Sequence, residues 1–347
     1  MRKINEANER MKRRYLRFLR EANGLSVASI DKAAAAILQF EKATGFKDFK
    51  HFHIEQAVAF KKALGKMKSA ATGKPLSKAT ISATLRTVKA FFKWLSMQQG
   101  YKTRVRLPDV EYFNLPAKDE AIAHAHREIP YPSMEQALHA FRQMPDESDI
   151  EKRDKALFAF LLVTGVRDGA AASLRLKHVD SVERRVVQDA REVMTKASKT
   201  IFTTFFPVDA ALVACVLEWV RFLREDRLFG PDDPLFPKTK IGLGASRRFQ
   251  SLGLAREPWS NASAIRKIVG DAFEAAGIQR FGPHAFRKTL VQLGERICKT
   301  PEEFKAWSQN LGHEQVLTTF TSYGAVSRQR QGEIIRRFSD ESQDDTL

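Results

Sequence analysis

From position 167 to position 323, two arginines, two histidines, a lysine and a tyrosine follow one another in an order that could break a phosphodiester without a metal. Such a reaction needs a nucleophile, cationic donors around the two nonbridging oxygens, and an acid for the departing 5′ oxygen. Arginine suits the oxygens because its planar fork donates two hydrogen bonds and stays charged. Thr164-Gly165-Val166-Arg167 places an arginine just past a glycine turn, and Gly282-Pro283-His284-Ala285-Phe286-Arg287 sets a histidine and an arginine three residues apart. On a helix those two positions share a face and can address one phosphate together. Leu311-Gly312-His313-Glu314 follows, and Tyr323 stands ten residues beyond His313. Singly each motif is commonplace, and an isolated HxxR is usually structural. Their order along one chain carries the weight.

The elements that would position these groups can be read from periodicity. Ser29–Thr44, His53–Leu64 and Ser77–Gln99 read as helices, the last with Ile81, Leu85, Val88, Phe92 and Leu95 on one stripe and Lys78, Arg86, Lys89 and Lys93 largely off it. Arg10, Arg13, Arg14, Arg17 and Arg20 precede them as a basic lead segment over 1–24, either a contacting arm or a frayed solvated helix. Pro108, Pro116 and Pro130 punctuate residues 103–130, which read as a linker, and its His124 and His126 have no ligand companions. Beyond it, helices are predicted near 133–144, 152–163, 210–223, 262–276, 284–298 and 301–310, with strands near Arg185–Gln188 and Thr200–Val208. The expected architecture is mainly α: a helical domain over 25–102, then a domain over 131–326 with a small antiparallel sheet, and a tail over 327–347.

Composition narrows the partner. The net charge is +17, and residues 1–130 hold 26 Lys/Arg against 12 Asp/Glu, or +14, leaving only +3 for the remainder. That asymmetry points to a polyanion held by the front of the chain, nucleic acid first. Cys215 and Cys298 lie in neither a CxxC nor a metal-ligand spacing, no apolar run approaches a membrane span, and the N-terminus lacks a signal-peptide core. A cytoplasmic protein with no membrane partner is expected. No P-loop and no clustered carboxylate site occurs, so neither a cofactor nor a metal is expected.

With these residues in view, the chain resembles the tyrosine recombinase (phage integrase) family across roughly residues 25–325. The resemblance implies a helical core-binding (SAM-like) domain and an α+β catalytic domain that close around DNA as a clamp. It implies that Arg167 is the first catalytic arginine (TGxR box), that His284 and Arg287 form the HxxR box, that His313 belongs to the LGH box, and that Tyr323 is the nucleophile. A β-hairpin lysine completes the set. Lys199, eight residues before Pro207, has the family spacing, and Lys196 is the reserve. Two departures stand out: Ala170 occupies the usual acidic position, with Asp168 as a substitute, and the His313–Tyr323 interval is one residue longer than the commonest pattern. The implied partners are double-stranded attachment sites, further copies of the chain in a tetramer on DNA, and accessory DNA-bending proteins, with the protein at the nucleoid when bound. Two alternatives stay open, a type IB topoisomerase-like enzyme and a DNA-binding relative that has lost catalysis.

Overall fold

The computed structural model describes residues 4–70, 72–125, 130–195, 198–243 and 248–313. It divides into two compact units, Met1–His126 and Arg127–Leu347.

The first unit is helical. Helices α1 (Glu6–Glu21), α2 (Val27–Ala43), α3 (Ile54–Lys66) and α4 (Lys78–Leu95) enclose a core crowded with phenylalanine. Phe40 meets Phe60 and Phe92 edge-on with ring centroids 5.3 and 5.0 Å apart, a geometry that sets ring edges against ring faces. Serine caps start two of these helices: Ser26 accepts from the backbone N–H of Ser29, and Ser77 from that of Thr80.

Two expectations are corrected here. The basic lead segment is not a frayed solvated helix, because α1 buries Met11, Tyr15 and Leu19 in the core. Asn8, fully buried, donates to Glu41 Oε1 at 3.1 Å and accepts from the backbone N–H of Phe49 at 3.0 Å, stitching α1 to the chain after α2. Nor is 103–125 a bare linker. It forms α5 (Leu107–Val110), a short 3-10 turn and α6 (Ala117–His124). Pro108 misleads because proline in the first turn of a helix is a start signal, and Val110 and Phe113 are buried, Phe113 stacking on Phe52 at 5.4 Å. Helix α6 buries no residue and is held to α4 by polar contacts, Lys78 to Asp119 at 2.8 Å and the Ser82 hydroxyl to Glu120 at 2.9 Å.

The second unit packs α7 (Met134–Gln143), α8 (Asp149–Thr164) and α9 (Asp168–Ala171) with a three-stranded antiparallel sheet of β1 (Val179–Asp180), β2 (Arg185–Gln188) and β3 (Ile201–Thr204). Then follow α10 (Ala210–Glu225), the hairpin β4 (Thr239–Leu243) and β5 (Phe249–Leu254), and α11 (Ser263–Ala275), α12 (His284–Ile297) and α13 (Pro301–Asn310). From Ala156 to Thr164, α8 is buried on every side, the mark of a central helix. The β4–β5 hairpin has no counterpart in the sequence reading. Its Ile241, Leu243 and Phe249 are exposed, so burial imposes no alternating pattern there. Among the described residues no helix is long and apolar enough to cross a membrane. None of their His, Cys, Asp and Glu side chains gather into a group of three able to hold a metal.

Candidate active site

The site is built where three chain segments end. Gly165 terminates α8 in the left-handed region at φ +61°, and a Cβ there would lie 2.8 Å from Leu311 Cδ2 and 3.0 Å from Leu290 Cδ1. Only glycine turns the chain so sharply in so little space. The turn delivers Arg167 as the residue before α9. Its guanidinium is lowered in pKa by burial and makes no hydrogen bond or ion pair with any described residue.

On α12, His284 opens the first turn and Arg287 follows one turn later. Arg287 is 5% exposed and ties the segments together. It donates to the carbonyl oxygen of Gly165, to that of Leu311 at 2.6 Å, and to Nε2 of His313 at 2.8 Å. Arginine is donor-only, so Nε2 of His313 must accept, which assigns the ring proton to Nδ1. Burial, and then the like charge of Arg167, push the Arg287 guanidinium down to about 9. His284 is also lowered, by burial first and then by Arg287 and Arg167. These shifts share one origin: cations gathered in a half-dry recess, with neither arginine bonded to a carboxylate among the described residues.

The sheet supplies the remaining wall. Asn310, at the end of α13, accepts from the backbone N–H of Thr204 at 2.7 Å and donates to its carbonyl at 2.8 Å, while the Thr203 hydroxyl donates to the Asn310 carbonyl. Gly312 follows at φ +70°, where a Cβ would sit 2.8 Å from Ile201 Cδ1. The LGH segment is thereby clasped to β3, two residues from the half-buried Lys199. Lys196 and Tyr323 lie outside the described residues.

Ala170, at the position expected to be acidic, is buried in the core at 2% exposure. Asp168 instead accepts from Arg266 at 2.6 Å, so its carboxylate is engaged on the outer rim of the site. The sequence reading missed the two carbonyls that hold Arg287, since main-chain acceptors leave no trace in residue type. It also missed His178, a buried ring that accepts from the Arg175 backbone N–H at 2.9 Å and contacts Glu192 at 2.9 Å, bracing the chain between β2 and β3.

Arg167, Arg287, His284 and His313 thus gather within a mostly helical α+β unit, where neither arginine is bonded to a carboxylate among the described residues. The chain belongs to the phage integrase family, whose model matches residues 133–330, more than half of its length. It is similar to tyrosine recombinase XerC of Corynebacterium efficiens, 27% identical over 192 residues, which are 55% of this chain and 52% of that relative. The chain therefore spans about half the length of the curated relative it matches. Among solved structures it is similar to a lambda integrase dimer bound to a COC′ core site, with a TM-score of 0.62 at 12% identity, covering 92% of this chain and 96% of the other. It is also similar to the Tn1549 transposon integrase in complex with transposon right end DNA, with a TM-score of 0.59 at 14% identity, covering 95% and 99%. At these identities the likeness concerns the fold.

Proposed function

We propose that this chain is a site-specific DNA recombinase that cuts and rejoins strands through a 3′-phosphotyrosyl bond. The observation that carries the reading is the buried Arg287, held by two main-chain carbonyls beside Arg167, which has no hydrogen bond or ion pair among the described residues. A buried cation without a counter-charge is costly, and a phosphate entering the recess supplies the missing charge. The family membership and the DNA-bound relatives support the same assignment.

In this reading Arg167, Arg287, His284 and His313 hold the nonbridging oxygens of the scissile phosphate. The Tyr323 phenol releases its proton to solvent as its oxygen attacks phosphorus, the P–O5′ bond breaks, and Lys199 gives its proton to the departing 5′ oxygen and regains one from solvent. The ester energy is retained in the phosphotyrosine, so a 5′ hydroxyl from a second duplex attacks it and releases the tyrosine. The tally of strands requires four cuts for two duplexes, hence four protomers on DNA, and accessory DNA-bending proteins would assemble them. The first unit supplies part of the grip on the duplex.

The test is incubation with a pool of nicked, randomised duplexes that trap the covalent state. A denaturation-resistant adduct is expected from the natural chain and none from Tyr323→Phe, with DNA binding retained. Absence of any adduct from the natural chain would leave a DNA-binding relative. Relaxation of supercoiled plasmid of any sequence would indicate a topoisomerase.

A further inference from the structure

Lys199 stands on the segment that joins β2 to β3, and a small side chain outside that segment, Ser173, fastens it to the chain around Arg167. Ser173 is half-buried just past the end of α9. Its hydroxyl donates to the carbonyl of Ala170 at 3.0 Å and accepts from the backbone N–H of Met194 at 2.9 Å. The first bond is local, a serine closing on a carbonyl three residues back. The second reaches across 21 residues of sequence and has no such local reason. A hydroxyl has one proton to give and lone pairs to accept with, so the same oxygen makes both bonds at once. Through it α9, which begins at the residue after Arg167, is joined to the segment at Met194, five residues before Lys199.

The rest of the segment is held from other directions. Glu192 accepts from Lys177 at 2.8 Å and from Nε2 of the buried His178 at 2.9 Å. Nδ1 of that ring accepts from the Arg175 backbone N–H, so Nε2 carries the proton. Val193 is buried in the core of the unit. Met194 is different: its side chain is 54% exposed, so packing does not place its backbone and the bond to Ser173 does. Further on, Ser198 adopts left-handed backbone at φ +49° beside Lys199, a conformation that a serine keeps where the surrounding structure over-determines it.

We infer that Ser173 is a positioning residue, whose hydroxyl sets the lysine-bearing segment in register with the Arg167 turn. This rests on the reading of the chain as a DNA recombinase and adds the group that couples its acid to its phosphate-holding arginine. A general acid acts only within hydrogen-bond reach of the oxygen it protonates, and a misplacement of about 1 Å can cost on the order of a hundredfold in rate. Two groups that serve one phosphate from separate segments therefore need a tie between the segments. Alanine at 173 removes that tie while leaving the exposed Met194 N–H to water, so the fold loses little.

The test uses the full-length chain and its Ser173→Ala and Ser173→Thr variants. Amide hydrogen exchange at Met194, read on peptides spanning residues 189–195, is expected to speed roughly tenfold in the Ala variant, whose Tm stays within about 3 °C of the natural chain. Single-turnover cleavage is followed on a nicked duplex recovered as adduct from the randomised pool, its bridging 5′ atom being oxygen or sulfur. On oxygen the Ala variant is expected to cleave roughly tenfold more slowly, and the Thr variant, which keeps a hydroxyl, within about threefold of the natural chain. On sulfur the Ala variant should come within about twofold of the natural chain, because a thiolate leaves without a proton. In a Lys199→Ala background the Ser173→Ala change should cost less than about twofold, since the group it positions is already gone. Unaltered exchange at Met194, undiminished cleavage on oxygen, a deficit that persists on sulfur, or a full further loss in the Lys199→Ala background overturns the inference. A natural chain that forms no adduct overturns the recombinase reading beneath it, a failure seen before any variant is compared.

Discussion

Replacing Arg287 with Met is expected to remove anion-dependent stability while leaving the empty fold nearly as stable as before. Burial, and after it the like charge of Arg167, lowers the guanidinium to about 9, a fall from its ordinary value that amounts to roughly 5 kcal/mol against the charged form. At pH 7 the group is still protonated, so the natural protein carries this cost and the Met variant does not. Against it, methionine strands the carbonyl oxygens of Gly165 and Leu311, at about 1–3 kcal/mol each. The two effects oppose one another at similar size, leaving a net change within about 3 kcal/mol in either direction. A bound oxyanion separates the proteins. Phosphate at a hundred times its Kd adds about 2.7 kcal/mol to the natural protein, an upward shift in Tm of roughly 5–10 °C for a unit of this size. In the Met variant the shift is expected to fall below about 2 °C, because Arg167 is then the one arginine left of the pair. The assay is thermal unfolding by circular dichroism across a phosphate series at constant ionic strength. Equal shifts in the two proteins would refute the assignment of the recess as an anion site and reduce Arg287 to a structural tie.

Gly165→Ala is expected to cost about 2–4 kcal/mol in urea unfolding, combining a left-handed backbone with contact against Leu311 and Leu290. His284 should titrate below its ordinary 6.5 by NMR, and Arg167→Gln should raise it, because removing a neighbouring cation favours the imidazolium. The unfolded chain takes up that proton near 6.5 and the folded one only at lower pH, so stability should decline as pH falls from about 6.5; a flat profile there would contradict the lowered value. Lys199→Ala should cleave ordinary DNA poorly yet recover on DNA whose bridging 5′ oxygen is sulfur, since a thiolate leaves without a proton. Rescue of Lys196→Ala instead would move the acid to that residue.

The sequence made some parts of the site plain because their chemistry depends on residue type. Arg167, His284, Arg287 and His313 converge as their motifs suggest, and the glycines beside Arg167 and His313 occupy positive-φ turns. The helices of the second unit were legible for the ordinary reason that each buries a periodic stripe. What escaped depends on long-range partners. The acids that cover α4 come from 18 to 41 residues away, at Glu111 and Asp119, and no local pattern reveals them. For α1 the signal was present, Met11, Tyr15 and Leu19 at intervals of four, but the arginines between them drew attention outward. In residues 103–125 the prolines outweighed Val110 and Phe113, whose burial is the stronger fact.

The clasp between β3 and the end of α13 bears on how the proton donor finds its target. Ile201 and Thr204 are pinned by Gly312 and Asn310, so the backbone two residues upstream hangs from a fixed point. Thr200, between that anchor and Lys199, is itself held, its hydroxyl oxygen accepting from the backbone N–H of Ala190 at 3.2 Å. In the proposed reaction the half-buried Lys199 therefore departs from backbone that the sheet and its neighbouring turn already fix.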